Sequence, residues 1–180
     1  YGSFKSNWNR IQQLNKNGWD VFMTINMLTE PIREGKYIGT VNALFIDYDN
    51  GDWCADDTES FINKFPVKPK LIIESSPGCF HVYWMVDNVP LAEFKSTQQK
   101  LAAKYNADPK VCDLARVMRL PGTINWKREE KFLVRTVLSN DKAKKLSFSE
   151  FCSRMFAIPA SSNSDQHHVD VGNTTSAVIS

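Results

Sequence analysis

Two aspartates stand two apart in the run Leu44-Phe45-Ile46-Asp47-Tyr48-Asp49. On a strand, residues two apart point to the same face. Asp47 and Asp49 would then set two carboxylates side by side at the end of an apolar strand, where they repel unless a cation lies between them. Oxygen ligands suit magnesium and manganese, and paired ions of this kind clamp an in-line phosphoryl displacement. A solvated Asp-x-Asp-Asn-Gly turn uses the same residue types, so this pair alone does not establish a metal site.

A second segment, Ser75-Ser76-Pro77-Gly78-Cys79-Phe80-His81-Val82-Tyr83-Trp84, has hairpin-turn chemistry followed by a lone histidine on the returning strand. Its backbone amides, Ser76 and His81 could contact a triphosphate; a tight turn beside a packed histidine is the plainer use of the same residues. A third segment runs from Asp108 through Asp113, Arg116 and Arg119 to a Pro121-Gly122 turn, then Asn125, Trp126 and Lys127. Asp113 could complete the acidic set, and Arg119 and Lys127 could neutralise phosphate charge. A surface strand with scattered charges would look similar at any one of these positions. The ordered series of acids, histidine, acid and basic strand is much harder to obtain by chance than any member of it.

The elements that must position these residues follow from pattern. Residues 3–17 carry Phe4, Trp8, Ile11 and Leu14 at helical spacing, with Gly18 as a stop. Residues 19–28 read as a strand, 29–40 as a loop punctuated by Pro31, Gly35 and Gly39, and 41–48 as a buried strand broken by Asn50-Gly51. A short helix over 56–65 would pack Phe61 and Ile62. Strands over 70–75 and 80–87 flank the Ser76–Cys79 turn. Residues 90–105 form a helix opened by Pro90. Strands follow over 115–120 and 131–138, and the Ser147-Phe-Ser-Glu150 capping box opens a last helix through Met155. About six strands with about four helices, unevenly alternating, predict an α+β fold. The catalytic domain would span 1–157. Residues 158–180 hold no Lys or Arg and many Ser, Asn and Thr, so they read as a flexible tail or linker whose His167 and His168 are solvated.

Composition narrows the class. The chain has 180 residues, 42% hydrophobic and 23% charged, with a formal net charge of +2. That suffices for one sizeable core and is not the charge of a coat or packaging protein, so a nucleic-acid partner must be met by a local basic patch. Cys54, Cys79, Cys112 and Cys152 form no C-x-x-C pair, which opposes a disulfide framework or four-ligand zinc site and predicts reduced thiols. No apolar run approaches a membrane span and no signal peptide opens the chain. The chain begins at Tyr1 without Met, as a fragment of a longer protein would.

Together the three segments resemble the archaeo-eukaryotic primase superfamily, and within it the RepB-type primases and primase-polymerases of plasmids and phages. FIDYD looks like the first motif, hhhDxD. SSPGCFHVYW looks like the second, a Ser-containing turn leading to His and aromatics. DPKVCDLARVMRLPGTINWK looks like the third region, an acid followed by R-x-x-R-L-P-G-T-x-N-x-K. The match covers about residues 19–138. The resemblance implies an RRM-like antiparallel sheet packed with a second α/β module and flanking helices. It implies template-directed primer synthesis or extension from NTPs or dNTPs on single-stranded DNA, with Mg²⁺ or Mn²⁺.

Carried over from the family, Asp47 and Asp49 are metal ligands and catalytic acids, with Asp113, which directly precedes a strand, chosen over Asp108 as the third. His81 contacts nucleotide phosphate with Ser76 nearby, and Arg119, Asn125 and Lys127 line the nucleotide or template site. Trp53 or Trp126 would be available to stack on bases. A helicase domain in a longer protein and the cytoplasm of a bacterial or archaeal host are the expected context. A rolling-circle initiator would need a histidine pair and a nucleophilic tyrosine, and only His81 lies in the expected folded part. A non-catalytic DNA-binding module is opposed by the clustered acids, since bare carboxylates repel phosphate.

Overall fold

The apolar run before Asp47 becomes the strand Ala43–Tyr48 (β4), and it is the hub from which the site is built. The computed structural model describes residues 4–49, 57–127 and 129–157. Trp53, Cys54, the Asn50-Gly51 break, the 158–180 tail and its two histidines lie outside the described residues. β4 pairs antiparallel with Cys79–Asp87 (β6), placing Asp47 opposite His81 and Phe45 opposite Tyr83. On its other side β6 pairs with Leu71–Ser76 (β5), and β5 with Arg135–Ser139 (β10). The short strand Leu146–Ser147 (β11) adds to the end of β6 in parallel. Turn residue Gly78 has φ +74, the conformation in which glycine bears no Cβ penalty.

Strand alternation gives this sheet two different faces. One carries Leu44, Ile46, Phe80, Val82 and Trp84, all fully or nearly fully buried. Against it pack the helices Thr58–Asn63 (α2), Leu91–Tyr105 (α3) and Phe148–Met155 (α4). Phe65 is the aromatic hinge of this core, with ring centres 5.1 Å from Phe61, 5.2 Å from Trp84 and 4.8 Å from Tyr105. The opposite face carries Asp47, His81 and Tyr83.

Over that second face lies a smaller module. It holds the helix Phe4–Lys16 (α1) and two-stranded ribbons. Phe22–Thr24 (β1) pairs with Val117–Arg119 (β7), Met27–Leu28 (β2) with Ile38–Thr40 (β3), and Ile124–Asn125 (β8) with Phe132–Leu133 (β9). The fold is α+β, as the element pattern predicts. Residues 19–28, expected as one strand, are split into β1 and β2 in different ribbons, because Asn26 turns its side chain to Leu114 O (2.9 Å) and to Asn42 N–H (3.1 Å). The expected 29–40 loop contains β3 and a single 3-10 turn at Gly35–Tyr37. The expected strand over 131–138 is two, β9 and β10. These short pieces lack the periodicity that makes longer strands readable.

α1 is held mainly by Asn15, whose amide donates to Trp19 O (3.0 Å) and Ile124 O (2.8 Å) while its oxygen accepts from Ile124 N–H (2.7 Å). Cys112 and Cys152 are free thiols.

Candidate active site

A cleft of about 480 Å³ opens between the second face of the main sheet and the β1–β7 ribbon. It is lined by Asp47 and Asp49 from β4 and its end, Ser76 and His81 from the hairpin, Arg119 from β7, and Asn125 and Lys127 from β8 and the residues after it. Seven of the eight expected site residues thus meet in one cleft. Asp113 is the exception. Its carboxylate sits 2.6 Å from Arg116 Nη2, mostly exposed, and it does not line the cleft. Asp108 is the acid that reaches the site electrostatically. Its backbone N–H donates to Asp47 O (3.0 Å), and its charge adds to the field on Asp47.

Asp47 is the most perturbed acid among the described residues. Burial, then the charges of Asp49 and Asp108, push its pKa up to about 7, against a smaller pull from Arg116 and Lys127. Its Oδ1 is buried with no hydrogen-bond partner among the described residues. The nearest basic group, His81 Nε2, is 3.6 Å away, too long for a hydrogen bond. His81 is buried, and desolvation followed by the positive charge of Arg119 drives its pKa down to about 3. At neutral pH the imidazole is therefore uncharged, and the short separation is not an ion pair. His81 Nδ1 is likewise buried without a partner among the described residues. Asp47 Oδ1 and His81 Nδ1 thus lie without partners among the described residues where the charges of Asp49 and Asp108 bear on Asp47, and a cation at Asp47 would relieve both the repulsion and the orphaned oxygen.

The donor chemistry fits a hard divalent cation: Asp47 and Asp49 offer oxygen, and Asp47 Oδ1 lacks another partner among the described residues. Among the described residues no three His, Cys, Asp or Glu converge as a closed metal cage. An open carboxylate pair suits magnesium, which keeps waters and substrate phosphates as its remaining ligands.

The opposite wall is basic. Arg119 Nη1 donates to Asp20 Oδ1 at 2.6 Å, and its guanidinium carbon lies 4.8 Å from the Phe22 ring centre. Lys127 lines the cleft and forms no ion pair among the described residues. Asn125 is mainly a strut. It is buried, its amide donates to Ser75 O (2.8 Å), and its oxygen accepts from Lys127 N–H (3.1 Å). Asp20, Phe22 and Arg116 also line the cleft, and sequence reasoning did not assign them to the site. Arg116 was signalled by the R-x-x-R spacing. Asp20, in an unremarkable Trp-Asp-Val-Phe stretch, carries no local signal.

Against known proteins, a family model described as the RepB DNA-primase N-terminal domain matches residues 33–160. The chain belongs to this family. A replication protein from Clostridium perfringens is 27% identical over 140 residues, covering 71% of this chain and 34% of that protein. The chain thus spans about a third of the length of this curated relative.

The fold is shared with solved primases. The AEP domain of the cyanophage S-2L primase-polymerase superposes with TM-score 0.64 at 19% identity, over 82% of this chain and 76% of that one. Primase RepB′ superposes with TM-score 0.57 at 22% identity, over 78% of this chain and 44% of that one. The catalytic domain of RepB′ in complex with initiator DNA gives 0.54 at 22%, over 78% and 65%. The architecture is that of the archaeo-eukaryotic primases.

Proposed function

We propose that this chain is the catalytic domain of a replication primase-polymerase, joining nucleotides on a single-stranded DNA template. The observation that carries the proposal is one cleft with opposed walls. Asp47 and Asp49 lie on one side, with a buried carboxylate oxygen lacking a partner among the described residues. Arg119 and Lys127 lie on the other, and a neutral histidine between. A nucleoside triphosphate with its counter-ions has that charge pattern. Initiator DNA bound by one solved neighbour supports a DNA partner. Plasmid or phage replication in a host cytoplasm, alongside a helicase domain, is the matching context.

Asp47 and Asp49 would hold the divalent ions, and Asp108 rather than Asp113 would add the third acidic charge. A bound ion there would lower the pKa of the attacking 3′-hydroxyl and neutralise the leaving pyrophosphate. His81, uncharged and walled in by the sheet, offers a hydrogen bond to a phosphate oxygen without adding charge. Ser76 and the hairpin turn border the same phosphate path. Arg119 and Lys127 hold the triphosphate in line, which is most of what a protein must supply in phosphoryl transfer.

The deciding experiment incubates the chain with single-stranded DNA, Mg²⁺ or Mn²⁺ and labelled NTPs or dNTPs, with and without an annealed primer. The wild type should make product, and Asp47→Ala/Asp49→Ala should make none while keeping its circular dichroism spectrum. Product from the double variant at the wild-type rate would remove the metal-site assignment. Tight DNA binding with no synthesis by the wild type would point to a non-catalytic module.

A further inference from the structure

Arg119 is held by two neighbours, Asp20 and Phe22. Nη1 donates to Asp20 Oδ1 at 2.6 Å and Nη2 to Asp20 Oδ2 at 3.4 Å. The ring of Phe22 lies under the guanidinium at a cation–π distance of 4.8 Å. The arginine side chain is only 10% exposed and that of Asp20 26%. A guanidinium carries more N–H donors than one carboxylate can accept, so donors remain for a second anion.

Asp20 has a second attachment. Its Oδ1 also accepts the backbone N–H of Trp126 at 2.8 Å. Trp126 stands between Asn125 and Lys127, and Asn125 Oδ1 in turn accepts the Lys127 N–H. One carboxylate therefore ties the end of β7 to the residues that follow β8, and the basic groups of the cleft wall hang from it. Burial alone would raise the Asp20 pKa, but the hydrogen bonds from Arg119 and Trp126 and the charges of Arg119 and Lys127 outweigh it and hold the carboxyl below its ordinary value.

We propose that Asp20 is a positioning residue for the triphosphate site: through its paired contact it fixes Arg119, and through the Trp126 N–H it fixes Lys127, in the orientation that receives phosphate. This rests on the primase reading above. The opposite possibility is concrete as well. Were Asp20 a place-holder displaced by the triphosphate, removing it would free Arg119 and tighten nucleotide binding. The two differ in sign.

The experiment titrates the full chain with ATP and with dATP in the presence of Mg²⁺, for wild type, Asp20→Asn, Asp20→Ala, Arg119→Ala and Asp20→Ala/Arg119→Ala. Melting temperatures and steady-state KM and kcat are measured beside the binding curves. Asp20→Ala should weaken nucleotide binding about tenfold, the scale of a lost charge-assisted hydrogen bond, and raise KM by more than it lowers kcat. Asp20→Asn keeps an acceptor for the Trp126 N–H and should fall between wild type and Asp20→Ala. The double variant should lose less binding than the two single losses combined, because contacting residues that act through each other are not additive, with the remaining loss beyond Arg119→Ala reporting the Trp126–Lys127 arm. Unchanged or tighter binding by Asp20→Ala would overturn the proposal, as would full additivity in the double variant. A wild type that neither binds nucleotide nor makes product removes the primase reading itself; a wild type that does both, with an additive cycle, removes only the role of Asp20.

Discussion

A largely buried carboxylate with a raised pKa is a cost to the fold, and Asp47 bears that cost in the proposed active site. The sign of its effect on stability can be worked out. A carboxyl whose folded pKa lies above its unfolded value stabilises the protein fully below the unfolded value, near pH 4, and loses that contribution as pH rises toward 7. Without divalent metal, then, Asp47→Asn should stabilise the protein at pH 8 and make little difference at pH 4. The expected gain is ~2 kcal/mol, after discounting for the solvent that reaches this partly exposed side chain. Thermal melts of the two proteins in EDTA at both pH values test this; a variant less stable than wild type at pH 8 would contradict it. His81 works in the other direction. Its lowered pKa means that stability is lost as pH falls below about 6.5, so the comparison must be made between variants rather than read from one protein's pH curve.

The strand that presents the acids also has an edge to protect. β4 pairs with β6 on one side only, and an exposed strand edge is a risk for pairing with other chains. Here α3 closes it with one side chain. Gln98 donates from Nε2 to Phe45 O at 3.0 Å and accepts from Phe45 N–H at 3.1 Å, copying a strand partner within the core. A further donation reaches Val111 O at 3.3 Å, which ties the segment carrying Asp108 to the same point. Gln98→Ala should leave a buried amide and carbonyl unpaired and cost roughly 2–4 kcal/mol, measured by urea denaturation. Nucleotide incorporation should fall with it, since Asp47 stands two residues along the loosened strand. A variant within 0.5 kcal/mol of wild type, roughly the scatter among surface substitutions, would show that the edge is held by other means.

At the scale of the molecule, two modules press opposite charge walls together, and binding of cations should therefore report on the whole fold. Ligand that binds only the folded state raises stability by mass action, by about 2.7 kcal/mol at a hundredfold excess over its dissociation constant. For a chain of this size that is roughly 5–10 °C in melting temperature. Mn²⁺ or Mg²⁺ should produce such a rise at pH 8. The rise should be much smaller at pH 5.5, where a proton competes for Asp47, and absent in Asp47→Ala/Asp49→Ala. An equal shift in the double variant would place the ions elsewhere.

Much of this was written in the chain locally. Period-two spacing suffices to put Asp47 and Asp49 at one strand end, Pro77-Gly78 to turn the hairpin, and Ser147 with Glu150 to cap α4, where the Ser147 hydroxyl accepts the Glu150 N–H. Each depends on residues a few positions apart, within reach of backbone geometry. The long strands and helices were legible for the same reason, since each repeats a pattern over several turns or pleats. What lies beyond local pattern was decided only by tertiary structure. Asp20 meets Arg119 across 99 positions, and no spacing rule anticipates that pair. Asp108 and Asp113 are both acids of the same segment in sequence; the fold brings the charge of one to bear on Asp47 and hands the other to Arg116. Asn125 could equally face substrate or backbone until Ser75 is beside it. Local pattern specifies which residues share a strand face, whereas charge pairing and burial depend on which distant segments come to lie opposite one another, and only packing sets that.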